Sequence, residues 1–164
     1  MIKVLILTIG IFLNILLESF FLNVFSFSIF VILCISLYKR VDNVWFFLFV
    51  FFTTLILDTV LHLHLGIHLL TVSVLLILLE ASWLLIPRES IYGYATILIL
   101  FVLYYLFLPF FNSLVFANIN WEILTANIAW VLVKALISLG IYVLMDRGYV
   151  FLRKEGQGSQ IRLR

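Results

Sequence analysis

The chain has 164 residues, of which 66% are apolar and 11% charged, with a formal net charge of +2. A water-soluble domain is nearer half apolar and a quarter charged. A core of this size cannot hide the excess, so the composition excludes a soluble globular protein and makes lipid the solvent. Cys34 is the only cysteine, which excludes an intrachain disulfide and any zinc spacing built on cysteine pairs.

A crossing helix needs roughly 20 apolar residues. The first span is expected from Val4 to about Leu17, ending near Glu18-Ser19. No polar region with a small-residue cleavage site follows it, so it reads as a retained helix rather than a cleaved signal. The stretch Phe20 to Ser28 is apolar but broken by Asn23 and Ser26, and reads as an elbow or as the start of the second span. That span ends at Tyr38, before Lys39-Arg40-Val41-Asp42-Asn43. The interval from Val4 to Tyr38 is tight for two crossings, so this pair is expected to be short or partly re-entrant.

The third span is expected from Val44 to Leu61, and the fourth from Ile67 to Ile86, where Pro87 disfavours continuation. The fifth runs from Ile91 to Phe111, with Pro109 near its end. A polar loop, residues 112–122, precedes a sixth span from Ile123 to Met145. The fold class is thus all-α, a polytopic membrane protein of about six transmembrane helices. Residues 1–146 form one domain, and 147–164 a basic tail expected to be flexible.

Charge placement sets the expected orientation. With the N-terminus cytoplasmic, the inside holds Lys3, Lys39, Arg40, Arg88, Arg147, Arg153, Lys154, Arg162 and Arg164. The outer loops hold no Lys or Arg, and Lys134 lies within the membrane. This positive-inside pattern implies an even number of crossings and both termini cytoplasmic. The basic tail is explained by topology or by anionic lipid, and no nucleic-acid footprint is present.

Ionisable groups within a span are costly and turn toward partners or water. Four stand out: Glu18, Asp58, Glu80 and Lys134. Helical spacing puts Asn14 with Glu18, Thr54 with Asp58 and His62, Ser73 with Glu80, and Asn127, Trp130, Lys134 and Ser138 on shared faces. At 1.5 Å per residue, Lys134 and Glu80 lie about 17 Å and about 20 Å below the outer surface, and Asp58 about 6 Å. The expectation is a Lys134–Glu80 pair, with Asp58 and Glu18 in an outer polar cluster. Bundle specificity without chemistry accounts for all four equally well.

Asp58, His62, His64 and His68 sit within eleven residues. Asp58/His62 and His64/His68 are i,i+4 pairs, the spacing that sets two metal ligands on one helical face. A turn falls between them, so the pairs belong to different helices. The histidines read either as interfacial residues bonded to water and headgroups, or as a candidate metal or proton site. No nucleophile elbow, metalloprotease pair or phosphate-binding loop is present, and no cofactor is expected. Aromatic runs such as Tyr104-Tyr105-Leu106-Phe107 read as lipid-facing or packing residues.

Leu57-Asp58, followed eight residues after the aspartate by the glycine of Leu65-Gly66, joins the third and fourth spans. With the basic turn Lys39-Arg40 before it and the basic end Asp146-Arg147 to Arg153-Lys154, the chain resembles MreD, the rod shape-determining membrane family of bacteria. The resemblance is specific over about residues 41–79. It implies a non-enzymatic role in the bacterial inner membrane, within the machinery that directs side-wall peptidoglycan synthesis. The implied partners are an MreC-like protein, a RodA-type polymerase, a class B penicillin-binding protein and an MreB-type filament. Asp58 would anchor the hairpin, Gly66 would permit its tight turn or a close helix approach, and Glu18, Glu80 and Lys134 would serve structure or association. The family's fold is similar to that of substrate-binding subunits of energy-coupling-factor transporters. The alternative function is therefore the membrane subunit of a vitamin or metal uptake system, using Asp58, Glu18 and the histidines.

Overall fold

In lipid every backbone N–H and C=O must be satisfied within the chain, and long apolar runs meet that demand as helices. The computed structural model describes residues 2–87, 90–115 and 128–161, and among these it is all-helical. The helices are α1 (Ile2–Phe25), α2 (Ile29–Leu37), α3 (Asn43–Val60), α4 (Ile67–Leu85), α5 (Ile91–Val115) and α6 (Ile128–Ile161). Five are long and apolar enough to cross a membrane: α1, α3, α4, α5 and the Ile128–Phe151 part of α6.

The second expected span is the exception. Helix α2 has only 9 residues, about 14 Å of rise against a hydrocarbon core of about 30 Å. It is apolar all round, and Phe30, Val31, Ile32, Cys34 and Ile35 are all buried, the signature of a helix enclosed by others. It packs against α1 and α6. A helix shielded by protein need not match the bilayer, because its end groups can be satisfied internally. The first pair is therefore a long helix, α1, returning through a short one, as the tight interval foreshadowed. The return still brings Leu37 and Val41 beside Lys3, Ile6 and Leu7 of α1, where they line one groove.

One end of the bundle is basic. Arg40 is paired with Asp146 and lies over the Tyr149 ring, 4.3 Å from its centroid. Lys39 bonds Glu80 at 2.7 Å. These contacts tie the α2–α3 turn to α4 and α6. The histidine-bearing α3–α4 turn lies at the other end.

The remaining differences from expectation have local causes. Helix α5 continues through Pro109 to Val115; proline removes one donor there but does not end the helix. The expected polar loop lies mostly outside the described residues, as do Arg88 and Asn127. Helix α6 runs on to Ile161, and Arg40 contacts its Asp146 and Tyr149. Lipid-facing surface is concentrated on α1 and α6, where Val4, Leu5, Phe12, Leu136 and Leu144 are all more than half exposed.

Candidate functional site: two carboxylate-capped helix starts

Asp58 sits at the third-last position of α3 and is fully buried. Its backbone carbonyl accepts Leu63 N–H at 2.9 Å, while His62 N–H reaches Thr59 O at 3.3 Å. These two bonds are a Schellman closure, and His62 takes its left-handed position with φ 54°. The Asp58 side chain then reaches across the turn to α4. Oδ2 accepts Gly66 N–H at 2.6 Å, and Oδ1 accepts His68 N–H at 3.2 Å. The His68 ring Nδ1 lies 2.6 Å from Oδ1 and donates to it. One aspartate thus closes α3 with its main chain and caps α4 with its side chain, where the helix dipole favours a negative charge.

The Leu-Gly pair has its own physical reason. Gly66 adopts φ 96°, and a Cβ placed there would meet nothing within 4 Å. The turn therefore needs glycine for its left-handed backbone, not for close helix approach.

The histidines separate. His68, buried at 1% exposure, joins Asp58. His62 and His64 are exposed and lie off the helices. The single-helix placement that the i,i+4 spacing assumed does not hold, because α3 ends before His62 and α4 begins after His64. Among the described residues no three His, Cys, Asp or Glu side chains converge as metal ligands.

Glu18 repeats the device deeper in the bundle. It is fully buried on α1, and its Oε2 accepts Phe30 N–H at 2.7 Å at the start of α2. Ser28 is the N-cap of α2, with its hydroxyl accepting Val31 N–H at 3.4 Å. Ser28 N–H donates to Tyr105 Oη at 3.1 Å, and Tyr104 Oη donates to Ser28 Oγ at 3.2 Å. Tyr105 Oη also meets Ser138 Oγ of α6 at 2.8 Å. The start of α2 is thereby bonded to α1 and α5, and through Tyr105 to α6. Tyr104 and Tyr105 pack in the bundle, as one of the two readings of their run has it, and their hydroxyls make them polar members of this hub. The signal available in sequence was Ser28, a capping residue directly before an apolar run.

Glu18 lies within electrostatic reach of His68, which is bonded to Asp58. Four buried polar atoms near it have no hydrogen-bond partner: Asn14 Oδ1, Asn14 Nδ2, Glu18 Oε1 and Thr53 Oγ1.

The Lys134–Glu80 pair does not form. Glu80 is at the basic end, bonded to Lys39 and to Tyr38 Oη at 3.0 Å. Burial and this carboxylate raise the Tyr38 phenol above its ordinary value. Lys134 lies over the Tyr105 ring at 6.0 Å. The depth count assumed full-length straight spans, and could not foresee the left-handed Lys39 (φ 60°) beside α4. The expected stripe on α6 also divides, with Ser138 buried and Trp130 52% exposed.

Comparison with protein-family models, curated proteins and solved structures found no match for this chain.

Proposed function

We propose that this protein is a non-enzymatic scaffold of the cell-elongation machinery, of the MreD type, in the cytoplasmic membrane of a bacterium. The observation that carries the reading is the 2.6 Å hydrogen bond from Gly66 N–H to Asp58. The aspartate and glycine whose spacing underlies the resemblance form one bonded unit, and a chance coincidence of spacing would not require that. Asp58 has both oxygens occupied by backbone and histidine donors, which suits an anchor. The exposed apolar faces of α1 and α6 offer surfaces for helix–helix association, driven in lipid by van der Waals packing and interhelical hydrogen bonds.

The partners would be an MreC-like protein, a RodA-type polymerase and a class B penicillin-binding protein. The basic end would face an MreB-type filament or anionic lipid. Affinity purification of the tagged full chain from its own membranes is expected to recover these cell-wall proteins. Recovery of an ATPase pair without them would overturn the scaffold reading in favour of a transporter subunit. One observation favours that second reading: the unpartnered polar atoms around Glu18, which an anchor alone does not need.

A further inference from the structure

We infer that Asn14, Glu18 and Thr53 form a binding site for a single monovalent cation, sodium by size. All three are buried, with relative exposures of 2%, 0% and 0%. Asn14 Oδ1, Glu18 Oε1 and Thr53 Oγ1 are oxygens without a hydrogen-bond partner. Buried polar atoms in proteins are almost always satisfied by protein, water or an ion.

The three residues share one place in the bundle. Helices α1 and α3 pack against each other, and Gly10 and Phe49 line the same groove between them. One turn further along each helix stand Asn14 and Thr53. Glu18 follows Asn14 by four residues on the same face of α1. The helices run in the same direction, so Asn14 and Thr53 lie at matching depth, and Glu18 stands one turn further along α1, at the cap of α2.

Charge decides the class of ligand. In its ionised form Glu18 carries one negative charge into the membrane interior, where an uncompensated charge is strongly disfavoured, so a bound cation is what would hold it ionised. The groups around it offset only part of that charge: Phe30 N–H donates to Oε2, and the Ser28 hydroxyl and Ile29 N–H also face the carboxylate. His68 is bonded to the Asp58 carboxylate. Tyr104, Tyr105 and Cys34, which also lie within electrostatic reach of Glu18, are neutral at physiological pH. The dipole of α2 supplies only a fraction of a charge, and it acts through Oε2. A carboxylate, an amide oxygen and a hydroxyl are hard oxygen donors, suited to alkali and alkaline-earth ions rather than to zinc or copper. One carboxylate balances one monovalent ion, whereas a divalent ion would leave a net positive charge in lipid. The enclosed position between closely packed helices favours the smaller sodium over potassium.

The proposal does not depend on the scaffold reading. It is tested on the full chain in detergent by thermal unfolding in sodium, potassium or choline chloride at constant ionic strength. Sodium at about ten times its dissociation constant is expected to raise the midpoint by about 3–6 °C over choline. Glu18→Gln keeps an acceptor for Phe30 N–H but removes the charge, and is expected to abolish the sodium increment. Thr53→Val, which conserves volume, is expected to reduce it, and serves if Glu18→Gln does not fold. Glu80→Gln, at the far end, is expected to retain the full increment. Equal midpoints in sodium and choline for the wild type would overturn the site, leaving buried water to satisfy these atoms. An undiminished increment in both Glu18→Gln and Thr53→Val would place the ion elsewhere and overturn the assignment. An equal rise in potassium would overturn the choice of sodium.

Discussion

In the α3–α4 hairpin, Asp58 commits both carboxylate oxygens to the turn it closes, through Gly66 N–H, His68 N–H and the His68 ring. In the α1–α2 hairpin, Glu18 gives one oxygen to Phe30 N–H and leaves the other without a partner. Both carboxylates stand on the first helix of their pair, and both cap the second. The lengths differ as well: α4 has 19 residues and α2 has 9. A full-length helix can place its start near the membrane surface, where water competes for exposed donors. A half-length helix starts inside the bundle and draws its caps from α1 and α5. The same device therefore closes a turn in one hairpin and leaves buried polar atoms without partners in the other.

The strongest way to break this comparison is to remove the carboxylates. Asp58→Leu strands two backbone donors and the His68 ring in a buried site. It is expected to lose about 3–5 kcal/mol of stability, the range for breaking a buried pair by deleting one partner. Glu18→Leu strands one backbone donor and relieves one unpaired oxygen, so its loss is expected to be about 1–3 kcal/mol. Denaturant titration of both variants in the same detergent decides the order. A larger loss for Glu18→Leu would mean that the interior hub, and not the α3–α4 turn, holds the fold.

A finer cut compares the two left-handed residues of the α3–α4 turn. Gly66 (φ 96°) and His62 (φ 54°) both lie in the left-handed region. A Cβ at Gly66 meets no atom within 4 Å, so Gly66→Ala isolates the backbone term and is expected to lose about 1–2 kcal/mol. His62→Gly is expected to gain up to about 1 kcal/mol for the reverse reason. A loss on His62→Gly would show that the imidazole makes a contact that matters. Melting curves of the two variants give the pair of signs.

The sequence made some of this architecture readable and hid the rest for physical reasons. The expected third and fourth spans, Val44–Leu61 and Ile67–Ile86, differ from α3 and α4 by about a residue at their ends. Their apolar runs are continuous and bounded by polar turns, so hydropathy alone locates them. The tight interval from Val4 to Tyr38 made a short first pair readable, but not the bounds of α2, because these depend on its cap by Glu18 and on shielding by neighbours, neither of which a hydropathy window registers. The resemblance implied Asp58 as an anchor, and its i,i+4 neighbour was His62. Spacing within a helix says nothing about where that helix ends: of the expected cluster Asp58, His62, His64 and His68, the helix ends leave His62 and His64 in the turn and bring His68 to Asp58. Tyr104 and Tyr105 were concealed because a hydroxyl's partner cannot be read from an aromatic run.

The smallest expected effect concerns the link between the hairpins. Lys39 leaves the end of α2 in a left-handed conformation and bonds Glu80 of α4, joining the exit of the first hairpin to the second. Both side chains are more than a third exposed, so screening limits the pair to about 1 kcal/mol or less. A double-mutant cycle of Lys39→Met with Glu80→Gln is expected to show coupling of that size. The corresponding cycle of Lys134→Met with Glu80→Gln is expected to be additive, because Lys134 lies over Tyr105 instead and distant sites add. Coupling between Glu80 and Lys134 that exceeded the Lys39 value would reverse the assignment. It would also move Lys134 from the start of α6 toward the basic end, and so undo the separation of the two ends on which the comparison of the hairpins rests.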